Sequence, residues 1–251
     1  VAGYAVREDG TLELKNYQSS KGKGPCYVGL DGTGKMLMVA NYGSGGVAAY
    51  AVGEDGSVKE SRSFFQHEGS SINEQRQTGP HAHSIYAGPD NRYAYAPDLG
   101  MDRVMIYKMD VEEATLTPAG SGKMPPGSGP RHLKFGKDGK QAYVLSEMGL
   151  TVVVFEREPV EGALAMMAEI SVLPAGGEKE GMTCSEVLVS KDGKFVYTAN
   201  RDVAGKGRDS ISVLAVGEQG VLSHVQTVPA EVEIPRNINL SPDGKWLLVA
   251  G

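Results

Sequence analysis

The chain has 251 residues, with 34 Gly, 13 Pro, 40% hydrophobic residues and a net charge of −6. The negative balance argues against a nucleic-acid or anionic-membrane partner, and no apolar run approaches the ~20 residues of a membrane helix. The glycines suit a protein of many turns, and the hydrophobic share is enough for a packed core.

In chain order, Val1-Ala2-Gly3-Tyr4-Ala5-Val6 reads as a strand already under way, and Leu12–Tyr17 as a second, more polar one. From there one outline recurs. The turns Gly32-Thr33-Gly34-Lys35, Pro89-Asp90-Asn91-Arg92, Lys137-Asp138-Gly139-Lys140, Lys191-Asp192-Gly193-Lys194 and Pro242-Asp243-Gly244-Lys245 align. With Thr33, Asp90, Asp138, Asp192 and Asp243 as equivalents, the steps are 57, 48, 54 and 51 residues. That period falls in the range of propeller blades.

Each unit has the same order. An apolar run precedes the turn (Ile85-Tyr86-Ala87, Leu133-Lys134-Phe135, Val187-Leu188-Val189, Ile238-Asn239-Leu240) and a second follows it (Met36–Ala40, Tyr93–Ala96, Phe195–Ala199). A third ends on an aromatic or apolar pair, and a fourth, more polar run (Val58–Phe65, Val221–Val228) closes the unit. Four short strands per repeat make one blade of antiparallel sheet. Alternation is weak in the inner strands, as expected when both faces are covered. No convincing helical period is present; Glu112-Glu113-Ala114 and Glu161–Glu169 are the best candidates and are short. The expected fold is therefore all-β, a β-propeller of four-stranded antiparallel blades. About five blades fall in one domain spanning residues 1–251. Half-blades at both ends would leave unpaired edges, so the chain is expected to be part of a larger closed propeller, incomplete at both ends. A five-bladed ring closed by its own termini is the alternative.

Cys26 and Cys184 lie far apart and form no CxxC, so the expectation is two buried thiols.

Seven residues before each turn residue, at the start of the first strand, stand Cys26, His83, Arg131, Ser185 and Arg236. The first strand of a propeller blade lines the axial channel, so these positions are expected to ring one mouth of it. The second strand returns to the same mouth with Asn41-Tyr42, Asp98-Leu99, Ser146-Glu147 and Asn200-Arg201. Arg131 and Glu147 should meet across one hairpin. Concave mouths lined by a few convergent polar groups are the usual form of a small-molecule site. Taken singly, each residue has a plainer reading. An Arg–Glu pair can be a rim salt bridge worth ~0–1 kcal/mol, and Arg201 and Arg236 can be solvated turn residues. His81 and His83, two apart on a strand, share a face, but no third ligand accompanies them, so no metal is expected. His132 should point away from Arg131, into packing. The joint pattern is harder to dismiss, because acid, base and guanidinium types share one register.

No Gly-x-Ser-x-Gly elbow, Walker loop or Gly-x-Gly-x-x-Gly after a strand is present. The glycine clusters Gly43-Ser44-Gly45-Gly46 and Gly127-Ser128-Gly129 read as tight turns.

The strings Gly24-Pro25-Cys26, Val39-Ala40-Asn41-Tyr42-Gly43, Gly79-Pro80-His81-Ala82-His83-Ser84, Pro97-Asp98-Leu99-Gly100, Gly129-Pro130-Arg131-His132, Thr198-Ala199-Asn200-Arg201 and Pro235-Arg236 resemble the seven-bladed propeller lactonases. That family includes 6-phosphogluconolactonases of the propeller type and a fungal 3-carboxymuconate-lactonising enzyme. The resemblance runs along the whole chain in order. It implies seven blades and an active site of His83, Arg131, Glu147 and Arg201, the ring already reached from turn register. Met148-Gly149-Leu150, Thr183-Cys184-Ser185-Glu186 and Asn237 depart from the family pattern.

The expectation is a lactonase of carbohydrate metabolism, a hydrolase opening 6-phosphogluconolactone in the pentose phosphate pathway. His83, Glu147 and Arg131 are its catalytic residues, with either His83 or Glu147 as general base. Arg201, Arg236, His81, Asn41 and Asp98 bind substrate. The partner is a small anionic lactone or carboxylate, with no nucleic acid or membrane, and no cofactor is required. Cytoplasmic location is expected, and oligomeric state is left open. A muconate-type lactonising enzyme and a non-catalytic ligand- or protein-binding propeller are the alternatives.

Overall fold

In the computed structural model, which describes residues 1–251, the turn residues shape each hairpin. Asp31 accepts from the Thr33 amide at 2.8 Å and its hydroxyl at 2.6 Å, and from the Met36 amide at 2.7 Å. At two later turns the roles are exchanged: the Ser190 and Ser241 hydroxyls donate to Asp192 and Asp243 at 2.6 Å, and the serine oxygens accept from the Phe195 and Trp246 amides. Gly193 follows with φ +77°, left-handed backbone that glycine adopts without a Cβ penalty.

Two compact units divide the chain: residues 1–101 with 105–120, and residues 102–104 with 121–251. The first unit holds a hairpin of β1 (Ala2–Val6) and β2 (Leu12–Tyr17). It also holds a sheet of β3 (Pro25–Leu30), β4 (Met36–Asn41), β5 (Gly46–Val52) and β6 (Val58–Gln66) in sequential order. Most of a second sheet lies there too: β7 (Tyr86–Ala87), β8 (Tyr93–Asp98), β9 (Arg103–Asp110) and β10 (Thr115–Lys123). The second unit holds the sheet β11 (Pro130–Phe135), β12 (Gln141–Ser146), β13 (Thr151–Arg157), β14 (Leu164–Ser171). Its other full sheet is β15 (Met182–Val189), β16 (Phe195–Asp202), β17 (Ser210–Val216), β18 (Leu222–Pro229). A hairpin of β19 (Asn237–Leu240) and β20 (Leu247–Ala250) completes it. Consecutive strands pair antiparallel, as the repeat predicts.

The second strands carry the core. Every residue of β4 and of β8 is buried. Met36, Met38 and Ala40 on one face of β4 pack with Ala94 and Ala96. Leu37 and Val39 on the other face pack with Ala48, Tyr50 and Val58. A strand covered on both sides has no use for alternation, and each of its Met, Leu and Val side chains contributes roughly 1.5–3 kcal/mol on burial. The fourth strands alternate half-buried and exposed, as in β14.

Neither weak helical candidate is a helix, and one expectation, of two buried thiols, is corrected. Glu161–Glu169 is not helical: Leu164–Ser171 is the edge strand β14, paired to β13 with Val152 opposite Ile170. Glu112-Glu113-Ala114 is a turn ending on left-handed Ala114 (φ +51°), and the one helical turn is a 3-10 turn at Glu218–Gly220. Cys184 is buried but Cys26 is exposed, because its strand β3 is open along one face.

Candidate active site

The register position singled out in the sequence coincides with a β-bulge. In β3, Pro25 faces Asn41 and Tyr27 faces Ala40, leaving Cys26 unopposed. In β15, Cys184 faces Asn200 and Glu186 faces Ala199, leaving Ser185 unopposed. In β11, Pro130 faces Ser146 and Leu133 faces Val144, so Arg131 and His132 together oppose Leu145 alone. Before β7, Ala82 faces Asp98 and Tyr86 faces Tyr95, again with one residue too many after Ala82. A bulge breaks the in–out alternation and re-aims side chains. The same place in each blade is thus released from the sheet's pattern.

In the first unit, the segment carrying His81 and His83 is zipped to Pro97–Gly100. The His83 amide donates to Pro97 O at 3.0 Å and the Leu99 amide to His81 O at 2.9 Å. Asp98 Oδ1 accepts from the amides of His81 (2.7 Å) and Gly100 (3.0 Å). Its Oδ2 meets His67 Nδ1 at 2.6 Å, and His67 Nε2 meets the Tyr107 hydroxyl at 2.7 Å. Asp98, His67 and Tyr107 are all buried. The strands approach closely because Gly100 has no side chain: a Cβ there would stand 1.9 Å from Gly79 O.

His83 is buried and lies edge-on to Tyr42, ring centroids 5.3 Å apart. The half-buried His81 ring stacks on Tyr42 at 4.5 Å and donates through Nδ1 to Tyr42 O at 2.8 Å. The Tyr42 hydroxyl accepts from Arg76 at 3.1 Å. Arg76 comes from a loop between β6 and β7 that holds itself in shape. Asn73 Oδ1 accepts from the amides of Gln75 and Arg76, both at 3.0 Å, and fully buried Gln77 donates to Leu99 O at 2.8 Å. Cys26 Sγ stands 3.9 Å from His83 Nδ1 and donates to His83 O at 3.2 Å.

In the second unit, β11, β12, β15 and β16 bring Arg131, Glu147 and Arg201 together. Glu147 Oε2 accepts from Arg131 Nε at 3.0 Å and lies 3.4 Å from an Arg201 nitrogen. All three residues are more than nine-tenths buried. Arg201 also donates to Cys184 O at 2.8 Å, and Arg131 to Ser185 O. Burial pulls the Arg131 guanidinium down, Glu147 opposes that, and the Arg201 and Arg236 charges add to it. A guanidinium nonetheless stays charged in a protein. Burial also pushes the Cys184 thiol far up, which leaves it a neutral packing group.

His132 is buried beside this cluster. An Arg131 Nη1–H donates to His132 Nε2 at 3.2 Å, and His132 Nδ1 lies 2.8 Å from Glu186 Oε1. Burial lowers the His132 pKa against the raising pull of Glu186. Burial opposes ionisation of Glu186, but the hydrogen bond from His132, the nearby Lys134 and the Val187 amide outweigh it, so its pKa is lowered. With His132 neutral, the cations Arg131, Arg201, Arg236 and Lys134 exceed the two carboxylates by two. Such a cluster favours an anionic ligand, and guanidinium forks suit a carboxylate or phosphate. No group of three His, Cys, Asp or Glu side chains is placed to hold a metal.

The family described as "Lactonase, 7-bladed beta-propeller" matches residues 1–251. The chain belongs to that family. The 6-phosphogluconolactonase of Bacillus subtilis (strain 168) is 36% identical over 254 residues, covering all of this chain and 70% of that protein. The 6-phosphogluconolactonase of Formosa agariphila is 32% identical, covering 96% of this chain and 67% of that protein. Among solved structures, the Pseudomonas aeruginosa periplasmic gluconolactonase PpgL superposes with a TM-score of 0.88 at 33% identity, over 98% of this chain and 69% of that one. This chain is therefore an all-β lactonase-family propeller of four-stranded blades, and the sequence resemblance is borne out.

Among the expected site residues, the structure brings Arg131, Glu147 and Arg201 into contact, and it joins His81 and His83 through Tyr42. Arg236 is exposed, near enough for its charge to act on Arg131. Asn41 and Asp98 do not line a ligand surface. Both are 0% exposed, Asn41 donates to Ser20 O and Gly46 O, and both Asp98 oxygens are taken by protein donors. Sequence reasoning missed His132, which the β11 bulge turns toward Arg131, and Glu186, which follows the β15 bulge and meets His132. It also missed Arg76 and His67. The signal for Arg76 was the Asn73-x-x-Arg76-Gln77 string in a loop without strand pattern.

Proposed function

We propose that the chain hydrolyses a sugar-acid lactone, with 6-phosphogluconolactone as substrate. The observation carrying this reading is the buried Arg131–Glu147–Arg201 cluster with its surplus of positive charge. Water attacks the lactone carbonyl carbon, the ring C–O bond breaks, and the products are a carboxylate and a hydroxyl on one chain. The attacking water loses a proton to Glu147 or His83, both usual general bases. Arg131 donates to the carbonyl oxygen as it gains charge, where a fixed donor acts mainly in the transition state. Arg201 and Arg236 hold the anionic end of the substrate. His83 is assigned to the same reaction on its register in the repeat, equivalent to Arg131. The names of the Bacillus and Formosa relatives support the phosphorylated substrate.

A second substrate reading, unphosphorylated gluconolactone, is favoured by the PpgL neighbour. No helix is long and apolar enough to cross a membrane. A phosphorylated sugar is retained inside cells, so cytoplasmic location goes with the first reading, and cell fractionation checks it.

The test is a lactone-hydrolysis assay on intact protein, Glu147→Ala and His83→Ala, using phosphorylated and unphosphorylated lactones. The expected result is a loss of about 10²-fold or more in kcat for at least one variant with folding intact, of the size general acid–base groups contribute. Unchanged turnover in both removes the site. Equal kcat/KM for the two lactones removes the phosphate role of Arg201 and Arg236.

A further inference from the structure

Arg131 is held by more than its carboxylate partner. We propose that His132 is a positioning residue for Arg131. Its Nδ1–H tautomer is fixed by Glu186, so that Nε2 offers the acceptor that aims the guanidinium. The inference rests on the reading of Arg131 as the carbonyl-binding group.

The geometry leaves little freedom. A guanidinium has only donors, so the atom that meets Arg131 Nη1 at 3.2 Å must be an acceptor. His132 Nε2 therefore carries a lone pair, and the ring proton sits on Nδ1. That atom lies 2.8 Å from Glu186 Oε1 and donates to it. Glu186 is itself fixed. Its Oε1 also accepts from the Val187 amide at 3.0 Å, and its Oε2 accepts from Asn237 Nδ2 at 2.7 Å. Arg131, His132 and Glu186 are 3%, 7% and 4% exposed, so solvent is largely kept from re-pairing them.

The backbone is built for this. In regular strand the side chains of Arg131 and His132 would point to opposite faces. The bulge that sets both against Leu145 alone lets them meet. Ser185, unopposed in β15, supplies the carbonyl that takes the same Arg131 Nη1, and the next residue is Glu186. One guanidinium thus has Nε on Glu147 and Nη1 on Ser185 O and His132 Nε2. Its plane is set from two sides.

The test separates positioning from packing. His132→Asn keeps a donor where Nδ1 stood and loses the acceptor toward Arg131. His132→Gln can place an oxygen near the Nε2 site. The expected kinetics are a kcat at least 10-fold down in His132→Asn with KM within 3-fold, and recovery of most of that loss in His132→Gln. In the unsubstituted protein, two-bond ¹H–¹⁵N spectra of the imidazoles should show His132 neutral and protonated on Nδ1 at pH 7. An Nε2–H tautomer or an imidazolium overturns the inference, and so does unchanged kcat in both variants. The spectrum needs no variant to fold. Arg131→Ala keeps the two claims distinct: if it retains full turnover, the function assigned to Arg131 fails. If it is inactive while His132→Asn is fully active, only the role of His132 fails.

Discussion

Replacing Asp98 by alanine should unfasten the segment that carries His81 and His83. The carboxylate receives three buried donors: the His81 amide at 2.7 Å, the Gly100 amide at 3.0 Å and His67 Nδ1 at 2.6 Å. With the acceptor gone, each donor loses its partner where water reaches poorly, at a cost of about 1–3 kcal/mol apiece. Three at the lower end of that range, raised slightly for the charged acceptor, give about 4 kcal/mol. For a chain of this size that corresponds to roughly 8–16 °C in Tm. Asp98→Asn is the control. Its oxygen can keep both amides, and its NH₂ can face His67 Nδ1 if that ring moves its proton to Nε2, where the Tyr107 hydroxyl at 2.7 Å can accept it. Asn should therefore cost about 1–2 kcal/mol, the loss of charge assistance. Urea denaturation followed by circular dichroism measures both, and amide exchange at His81 and Gly100 localises the effect. If Asp98→Ala falls within 1 kcal/mol of the unsubstituted protein, or those two amides stay protected, the fastening role assigned here is wrong.

Three further outcomes follow from single sites. Gly100→Ala places a Cβ 1.9 Å from Gly79 O, so it should destabilise by at least the 1–3 kcal/mol typical of overpacking, read as a shift in urea midpoint. A thiol reagent should titrate Cys26 in the native state and reach Cys184 only on unfolding, because Cys184 is buried with its pKa pushed up by that burial. Asp31 is lowered from 3.8 to about 2: burial opposes ionisation, but hydrogen bonds from Thr33, Asn91 and the Met36 amide outweigh it. A folded pKa below the unfolded one stabilises above the unfolded value, so the stability gap to Asp31→Ala should be full near pH 6 and shrink from pH 4 to pH 2. A gap that is constant over that window would contradict the assignment.

Much of the fold was legible because the turns are local. Asp138-Gly139, Asp192-Gly193 and Asp243-Gly244 fix their own hairpins, and their spacing gives the blade length without any long-range contact. The buried second strands were legible for the same reason, as apolar runs of strand length. The edge strands Leu12–Tyr17, Val58–Gln66 and Leu222–Pro229 were legible as polar runs, but Leu164–Ser171 was not. Leu164–Ser171 has Leu, Met, Met and Ile mixed with Ala and Glu, a composition that also suits a helix, and only pairing to Val152 and Val154 decides it. Tyr86–Ala87 is shorter than its apolar run because the preceding residues are spent on the bridge to Asp98.

The site was legible as a register and illegible as a set of directions. Counting seven back from the turn finds Cys26, His83, Arg131 and Ser185, and all but His83 are the very residues unpaired or doubled in the ladder, with His83 in the slipped stretch. The period-two rule then fails at that point and nowhere else along the strand. It sent His132 away from Arg131, although the doubled position puts them 3.2 Å apart. The return of the second strand to the channel mouth gave Asp98 to substrate, although its oxygens serve backbone amides and His67. A bulge spends one ladder pairing to free a side chain from the sheet's alternation. Where the same residue of successive repeats is so released, the sheet has surrendered backbone pairing for side-chain placement. That is why the reactive-looking residue types collect at this level of the blade, and why their neighbours have to be read from the structure.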